Sequence, residues 1–599
     1  MTAKKLVFSI LATTLILGVV ACQKTQGGGG GGDDKTVNVV LTEGLTDTNI
    51  NGTTISATST VAGLVKSTKT GNGIPGVAVS DGYQVVKTDA NGVYQMKRNA
   101  KSRKIYYTTP SQFKINLDSK KHQPEFFTPG ILSSTKKYRA DFNLTPLAEP
   151  EKQFTLIMIG DPQCSEAAEA SRYMTETVKD VAKTASSQVN AYAITLGDIT
   201  FDATNMWSMM SKSMQNIQQT DGRYIPFFQT IGNHDHNSLE AETGDQLKND
   251  YNATGKFFEN FGPTDYSFDR GDAHIIVMDD IMVTTRSSSS KPNKYTWGYN
   301  GGFSDEQWEW FKQDIASVDN KESKVGFICL HIPFRAGSSS GGSNVNKTRH
   351  YEDFLNEMVK FKEFHIMIGH THYQQNYIHS RNCVGGKPIY EHIHGAACGA
   401  WWSFYSNKYG DINVTGGPCG YNVYQIDGAN VKNWWMKGSN KEKDYQLRVY
   451  DGDMNYGNAS RSYYWNKASN SYMSHNAKGS EKCKNCFVAE VFDDDKSNWT
   501  LEFWQNGAKV GNFTRLGDSG YSNVAATAFF YNQMNKGNSD SYASTTSSHY
   551  WYFKAPGGNP ATEKNWEVKA IQKIATNQAQ VNTYSCKKLT TNFDEYCKM

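Results

Sequence analysis

Five near-continuous apolar runs lie between residues 154 and 369: FTLIMIG (154–160), AYAITLG (191–197), IPFFQTIG (225–232), KVGFICL (324–330) and FHIMIG (364–369). Runs apolar on both faces belong to strands covered on both sides of a sheet. Helical patterns separate them: Met174, Val178 and Val181 share one helical face. Ser304 and Gln307 have the spacing of a capping box, with Phe303 and Trp308 as the hydrophobic staple across it. The region is therefore α/β. Each run also ends in polar or metal-type residues, in order Gly160-Asp161-Pro162-Gln163, Gly197-Asp198, Gly232-Asn233-His234-Asp235, His331 and Gly369-His370-Thr371-His372. Ligands of open α/β sheets gather at the carboxyl ends of strands. Five such endings in one chain point to one shared site.

At these residues, over about 152–438, the sequence resembles the calcineurin-like metallophosphoesterases, whose pattern runs D-x-H, G-D, G-N-H-D/E, H and G-H-x-H. The resemblance implies a four-layer α/β/β/α sandwich with a two-metal site at the strand ends. Carried over by position, Asp161, Gln163, Asp198 and His372 hold one metal, and Asp198, Asn233, His331 and His370 the other, so that Asp198 bridges. The implied reaction is in-line attack on phosphorus by a hydroxide bridging the metals, with His234 protonating the leaving oxygen. Two ions a few ångströms apart need a bridging carboxylate to relieve their repulsion. Only Asp161 and Asp198 are anionic in the set, so the loaded site stays positive and attracts phosphate oxygens. Histidine, carboxylate and amide donors suit manganese, iron or zinc better than calcium.

Two positions depart from the pattern. Gln163 stands where the family commonly has His, and its amide oxygen is the weaker ligand. Phe201 occupies a position where purple acid phosphatases have a Tyr ligand, which argues against a coloured iron–tyrosinate site. The acid that orients His234 is either Asp202 or Asp235. His236 is a candidate substrate contact, His392 and His394 read as ordinary strand histidines, and Cys164 as structural. The Ser- and Gly-rich segment 338–346 is a candidate closing loop.

At 599 residues the chain exceeds one core, and three or four domains are expected. Residues 1–21 read as an export signal: Lys4 and Lys5, then an apolar stretch too short to span a bilayer. Val19-Val20-Ala21-Cys22 resembles the bacterial lipoprotein box, which makes Cys22 the lipidated residue. Residues 22–58, with six consecutive glycines from Gly27 to Gly32, read as a flexible linker. Short strand patterns over 59–147, including TVAGLVK, GVYQMK and FKINLD, indicate an N-terminal β-sandwich. Residues 444–599 read as a C-terminal β-rich domain, in which Asp493-Asp494-Asp495 is expected as a solvated turn. Cys483/Cys486 and Cys586/Cys597 are the candidate disulfides.

A net charge of +3, from 62 Lys+Arg against 59 Asp+Glu, offers no basic surplus for a nucleic-acid polymer. The expectation is an exported, membrane-anchored metal-dependent phosphoesterase on the periplasmic or surface face of a bacterial envelope. Its substrate is a small-molecule or head-group phosphodiester or phosphomonoester, and the membrane is reached through the lipid anchor alone. Pyrophosphate-bond hydrolysis of nucleotide-diphosphate-type compounds is one alternative. The other is a glycan-binding protein with a degenerate phosphoesterase domain, suggested by Trp401-Trp402 and Trp434-Trp435 as surface aromatics.

Overall fold

The computed structural model describes residues 37–202, 204–237, 246–287, 295–334, 350–379, 387–399, 402, 413, 417–453, 483–493, 497–516 and 549–591. Residues 1–36, Trp401, Asp494, Asp495, Cys597 and the segment 338–346 lie outside them, and with them the expected signal, the candidate lipidation site Cys22 and the candidate closing loop.

Two sheets form the centre. In the first, strand Gln153–Ile159 pairs in parallel with Ala191–Thr195, which pairs in parallel with Phe227–Phe228. Its other side carries the antiparallel pair Gly420–Asp427 and Asn430–Gly438. The second sheet has six strands in the order Tyr266–Arg270, Ala273–Val277, Val325–Cys329, Glu363–Ile368, Ile389–Ile393 and Gln375–His379.

Alternation of side chains along each strand builds the layers. Leu156, Met158 and Ile194 join Ile275, Val277, Phe327 and Cys329 in one core between the sheets. Their neighbours Ile157, Ile159 and Ala193 turn outward onto Val178, Val181 and Trp207. On the far side Ile276, Ile328 and Ile366 meet Trp310, Phe311 and Ile315 of helix Asp305–Ser317. The result is the four-layer α/β/β/α sandwich.

Gln307 N donates to Ser304 Oγ at 3.1 Å and Ser304 N to Gln307 Oε1 at 3.0 Å, closing the capping box. The staple works through a third ring: Phe303 and Trp308 both pack on Phe354, with centroids 4.3 and 5.0 Å away.

The N-terminal domain is a sandwich of a four-stranded and a three-stranded sheet. Here the structure corrects two expectations. The linker does not extend to residue 58, because Val39–Glu43 pairs antiparallel with Tyr138–Leu144 as the edge strand of the four-stranded sheet. FKINLD makes only single bridges, Phe113 to Pro146 and Leu117 to Pro124. A proline has no N–H with which to extend a ladder. The domain fuses with the catalytic core rather than hanging from it: Phe126 packs on Tyr266 and Phe228 with ring centroids 4.9 and 6.2 Å apart.

The C-terminal domain stacks a five-stranded on a four-stranded sheet around Leu447, Phe487, Leu501, Phe503 and Val568. Cys483 and Cys486 do not bond each other. Cys486 Sγ instead donates to Lys484 O at 3.4 Å. Asp493 is not a solvated turn residue. It is fully buried at the seam with the catalytic domain and accepts from Gln374 Nε2 (3.0 Å), Asn376 Nδ2 (2.7 Å) and Gln572 Nε2 (3.2 Å). Beside it His549 Nε2 donates to Gln374 O at 2.8 Å. Among the described residues no helix is long and apolar enough to cross a membrane.

Three amides, two of them buried, depend on the one carboxylate, and a buried donor left without its acceptor costs about 1–3 kcal/mol. Asp493→Ala should therefore loosen the seam and speed proteolytic release of the C-terminal domain. Asp493→Asn, which keeps one acceptor oxygen, should lie between. Limited-digestion time courses measure both.

Candidate metal centre

The ends of six strands converge because both sheets contain parallel ladders running toward the same edge. Close approach of these ends needs glycine. A methyl on Gly232 would collide with Asp198 N and Oδ1, and one on Gly197 with the imidazole of His331. Asp161, Gln163, Asp198, Asp202, His370 and His372 all have left-handed backbone, with φ between 43° and 69°. That conformation costs an ordinary residue on the order of 1 kcal/mol. Such residues collect at functional sites whose surroundings hold them in place.

His331 Nε2 stands 3.0 Å from Asn233 Oδ1, 3.2 Å from His370 Nδ1 and 3.3 Å from Asp198 Oδ2. Donor atoms about 2.1 Å from one ion are spaced about 3.0–3.4 Å from each other, so this set fits a single first-row cation. His331 Nδ1–H donates to Leu196 O at 2.8 Å, which leaves Nε2 as the ligating atom. Asp280 accepts from the backbone N–H of His331 and of Ile332, at 3.1 and 2.8 Å.

The companion set is looser. His372 Nε2 lies 3.7 Å from Asp161 Oδ1, while Gln163 donates Nε2 to Asp198 Oδ2 at 3.0 Å. A half-turn of that amide brings Oε1 to face the ion position. Asp161 also accepts from His370 N at 3.0 Å. The clustered donors Asp198, His331 and His370 fit one cation, and Asp161, Gln163 and His372 lie beside Asp198 in a looser set.

Electrostatics point the same way. Two buried carboxylates at close range cannot both ionise alone. Burial, reinforced by the Asp198 charge, pushes Asp161 up. Against burial, His331 and His234 hold Asp198 well below the usual carboxylate range. Against burial, Asp198 raises His331 to about 10, while burial and the charge of His331 push His370 down to about 3.

His234 stands outside the clustered donors Asp198, His331 and His370. Its backbone N–H donates to Asp198 Oδ1 at 2.9 Å, and its ring lies 4.3 Å, centroid to centroid, from that of Phe201. Asp202 Oδ1 lies 3.1 Å from His234 Nδ1, at ion-pair distance though not aligned as a hydrogen bond. Asp202 N in turn donates to His234 O at 3.1 Å. Asp235 is occupied elsewhere: it accepts from Gly232 N, Ile199 N and Thr200 N at 2.8–3.0 Å and so ties two strand-end loops together. Of the two acids, Asp202 is therefore the one placed beside the His234 ring.

His236 is no substrate contact. It is buried, with Nδ1 2.9 Å from Gly232 O and Nε2 3.1 Å from Asp279. His392 and His394 are buried in the sheet, His394 between Ile368 O and the Tyr424 hydroxyl. Cys164 donates its thiol to Pro162 O at 3.3 Å. Trp402, Trp434 and Trp435 are buried, so these aromatics offer no glycan surface; Trp402 Nε1 pins the metal loop by donating to Pro162 O at 2.7 Å.

Sequence reasoning missed Asp280, although AHIIVMDD is a further apolar run ending in acids. It also missed Tyr299, whose ring stands edge-on to His370 at 6.2 Å. Tyr299 lies on a two-stranded ribbon that no strand-end rule reaches.

Three models of one family match the chain in succession: "N terminal of Calcineurin-like phosphoesterase" over 59–147, "Calcineurin-like phosphoesterase" over 154–374 and "C terminal of Calcineurin-like phosphoesterase" over 391–577. The last takes in strands Gly420–Asp427 and Asn430–Gly438 of the first central sheet as well as most of the C-terminal domain. No curated protein matches the chain.

His331 must lose its proton to ligate through Nε2. The group is protonated below about 10, so metal uptake at pH 7 should release at least one proton, and affinity should rise with pH until His331 is neutral. Calorimetry in buffers of different ionisation enthalpy reads this directly. Gly232→Ala should abolish metal retention while leaving the far-UV spectrum close to that of the wild type.

Proposed function

Because the chain belongs to the calcineurin-like phosphoesterases and is a metal-dependent phosphoester hydrolase, we propose that it cleaves an extracytoplasmic phosphodiester or phosphomonoester by in-line displacement at phosphorus. The observation that carries this reading is the convergence of Asp198, Asn233, His331 and His370 beside the half-buried His234. A pair of divalent ions held by these residues together with Asp161, Gln163 and His372 would supply the positive field for the phosphoryl oxygens and an acidified water as nucleophile.

The chain's own groups do the rest. With Nδ1 toward Asp202, His234 offers Nε2 to the leaving oxygen. Against burial, Asp198 and Asp202 raise its pKa. The raised pKa favours the protonated ring, which can give its proton to a developing alkoxide. Its action as an acid is present below that raised pKa and lost as pH climbs through it. Asp235 keeps the loops of Asp198 and His234 in register, and Asp280 holds the His331 backbone.

Gln163 is the observation that favours a second reading, hydrolysis of a pyrophosphate bond, since the family branches that cleave such bonds also carry Gln at that position. Comparing nitrophenyl phosphoesters with an ADP-ribose-like compound separates the two.

The same proposal holds the enzyme at the bacterial envelope through a lipid on Cys22, supported by the residues around that cysteine, and reserves no role for a nucleic-acid polymer. Cys22→Ser should move the protein from the detergent phase to the aqueous phase on partitioning. Full retention in detergent would count against the anchor.

His234→Ala should keep both metals and lose about 10²–10⁴-fold in turnover. Asp198→Ala should lose metal and turnover together. Metal analysis beside nitrophenyl-phosphoester kinetics checks both, and turnover undiminished in His234→Ala would remove its role as acid.

A further inference from the structure

Cys398 is 1% exposed. Its sulfur stands 3.8 Å from His372 Nδ1 and 3.6 Å from Gln163 Oε1. The thiol can donate its hydrogen to Gln163 Oε1 or to the carbonyl of Gly399, also 3.6 Å away. The backbone fixes this position. Gly160 and Ala396 form a parallel bridge, Ala397 N donates to Gly160 O at 2.7 Å, and Cys398 N donates to Asp161 O at 3.2 Å. The sulfur is thus registered against the strand end that carries Asp161 and Gln163.

A neutral imidazole has one N–H. For His372 to ligate through Nε2, which faces Asp161, the proton must sit on Nδ1 and be donated outward. The sulfur of Cys398 faces that atom. It lies off the far ring nitrogen, so it backs the ligand rather than joining it on the ion.

Gln163 adds the second half. Its Nε2 points to Asp198 and its Oε1 to the sulfur. The half-turn that brings Oε1 to the ion also brings Nε2 to the sulfur. The sulfur then accepts two N–H groups while its own hydrogen goes to Gly399 O, within the weak capacity of a thiol. An acceptor for Nε2 adds to the ion's own preference for the amide oxygen.

Resting on the two-cation reading of the site, we infer that Cys398 is the positioning residue for the Asp161, Gln163 and His372 half. It fixes the tautomer of His372 and the face that Gln163 turns to the ion. Its contacts at the site are with Gln163 and His372, both of that half. Its loss should therefore weaken one cation and spare the other.

The test uses the full chain as wild type, Cys398→Val, which removes the acceptor at similar size, and Cys398→Ser, which keeps one. Cobalt(II) titration with chelator competition and visible absorption reads both sites without substrate. The expected result is two cobalt ions in wild type. In Cys398→Val one site should be unchanged and the other about 10–100-fold weaker, with a changed spectrum, and Cys398→Ser should recover most of the affinity. Near-UV circular dichroism of the metal-free proteins establishes that the fold is kept; should Val disturb it, Cys398→Ala replaces it. Two ions bound as tightly in Cys398→Val as in wild type would overturn the inference, as would equal weakening of both. A wild type that binds no cobalt would fell the site reading itself, and this inference with it.

Discussion

The carboxylate of Asp198 is the point on which the site turns. It is buried, it takes an N–H from His234 and from Gln163, and it stands within ion-pair range of His331. Burial alone would neutralise it, yet its neighbours keep it charged. An anion held ionised in the interior needs positive charge around it. The strand ends are arranged to supply that charge, partly from histidine and partly from whatever cation the remaining donors take up. Even the glycines follow from it, since Gly232 is small because Asp198 lies against it.

The two-sheet sandwich makes this arrangement possible. The central strands of each sheet are apolar on both faces, so they are gripped above and below, and their ends are free for polar work. Placing the donors on ends of parallel strands from both sheets gives a rigid frame. The accessory domains tighten it. The N-terminal sandwich shares a hydrophobic core with the central layer. The C-terminal domain reaches the site through Asp493 and Gln374, whose Oε1 accepts from Gly395 N, three residues before Cys398.

Much of this was legible in the chain. The buried runs and their endings report on local period and on strand ends, which sequence spacing carries directly. So does the capping box at Ser304. What escaped depends on partners distant along the chain. Val39–Glu43 reads as part of a linker because its partner, Tyr138–Leu144, lies about a hundred residues away. Asp493 looks like a solvated acid until Gln374, Asn376 and Gln572 close around it. The tryptophan pairs look like surface because alternation cannot tell a layer facing water from one facing another layer; Trp434 and Trp435 point to opposite sides of one strand and both are buried. The choice between Asp202 and Asp235 was a matter of ångströms, which spacing along the chain does not resolve.

The left-handed backbone at Asp161, Gln163, Asp198, His370 and His372 carries a consequence for how such a site can change over time. Each position is under two separate demands, one on its donor atom and one on its main chain. Asparagine and glycine relax the second demand most easily, but glycine surrenders the donor. A β-branched residue fails on both counts. Drift at these positions is therefore confined to a narrow corridor of short or unbranched polar side chains. A ligand exchange such as glutamine for histidine stays inside that corridor, altering the affinity of the centre without disturbing the shape of the chain that frames it.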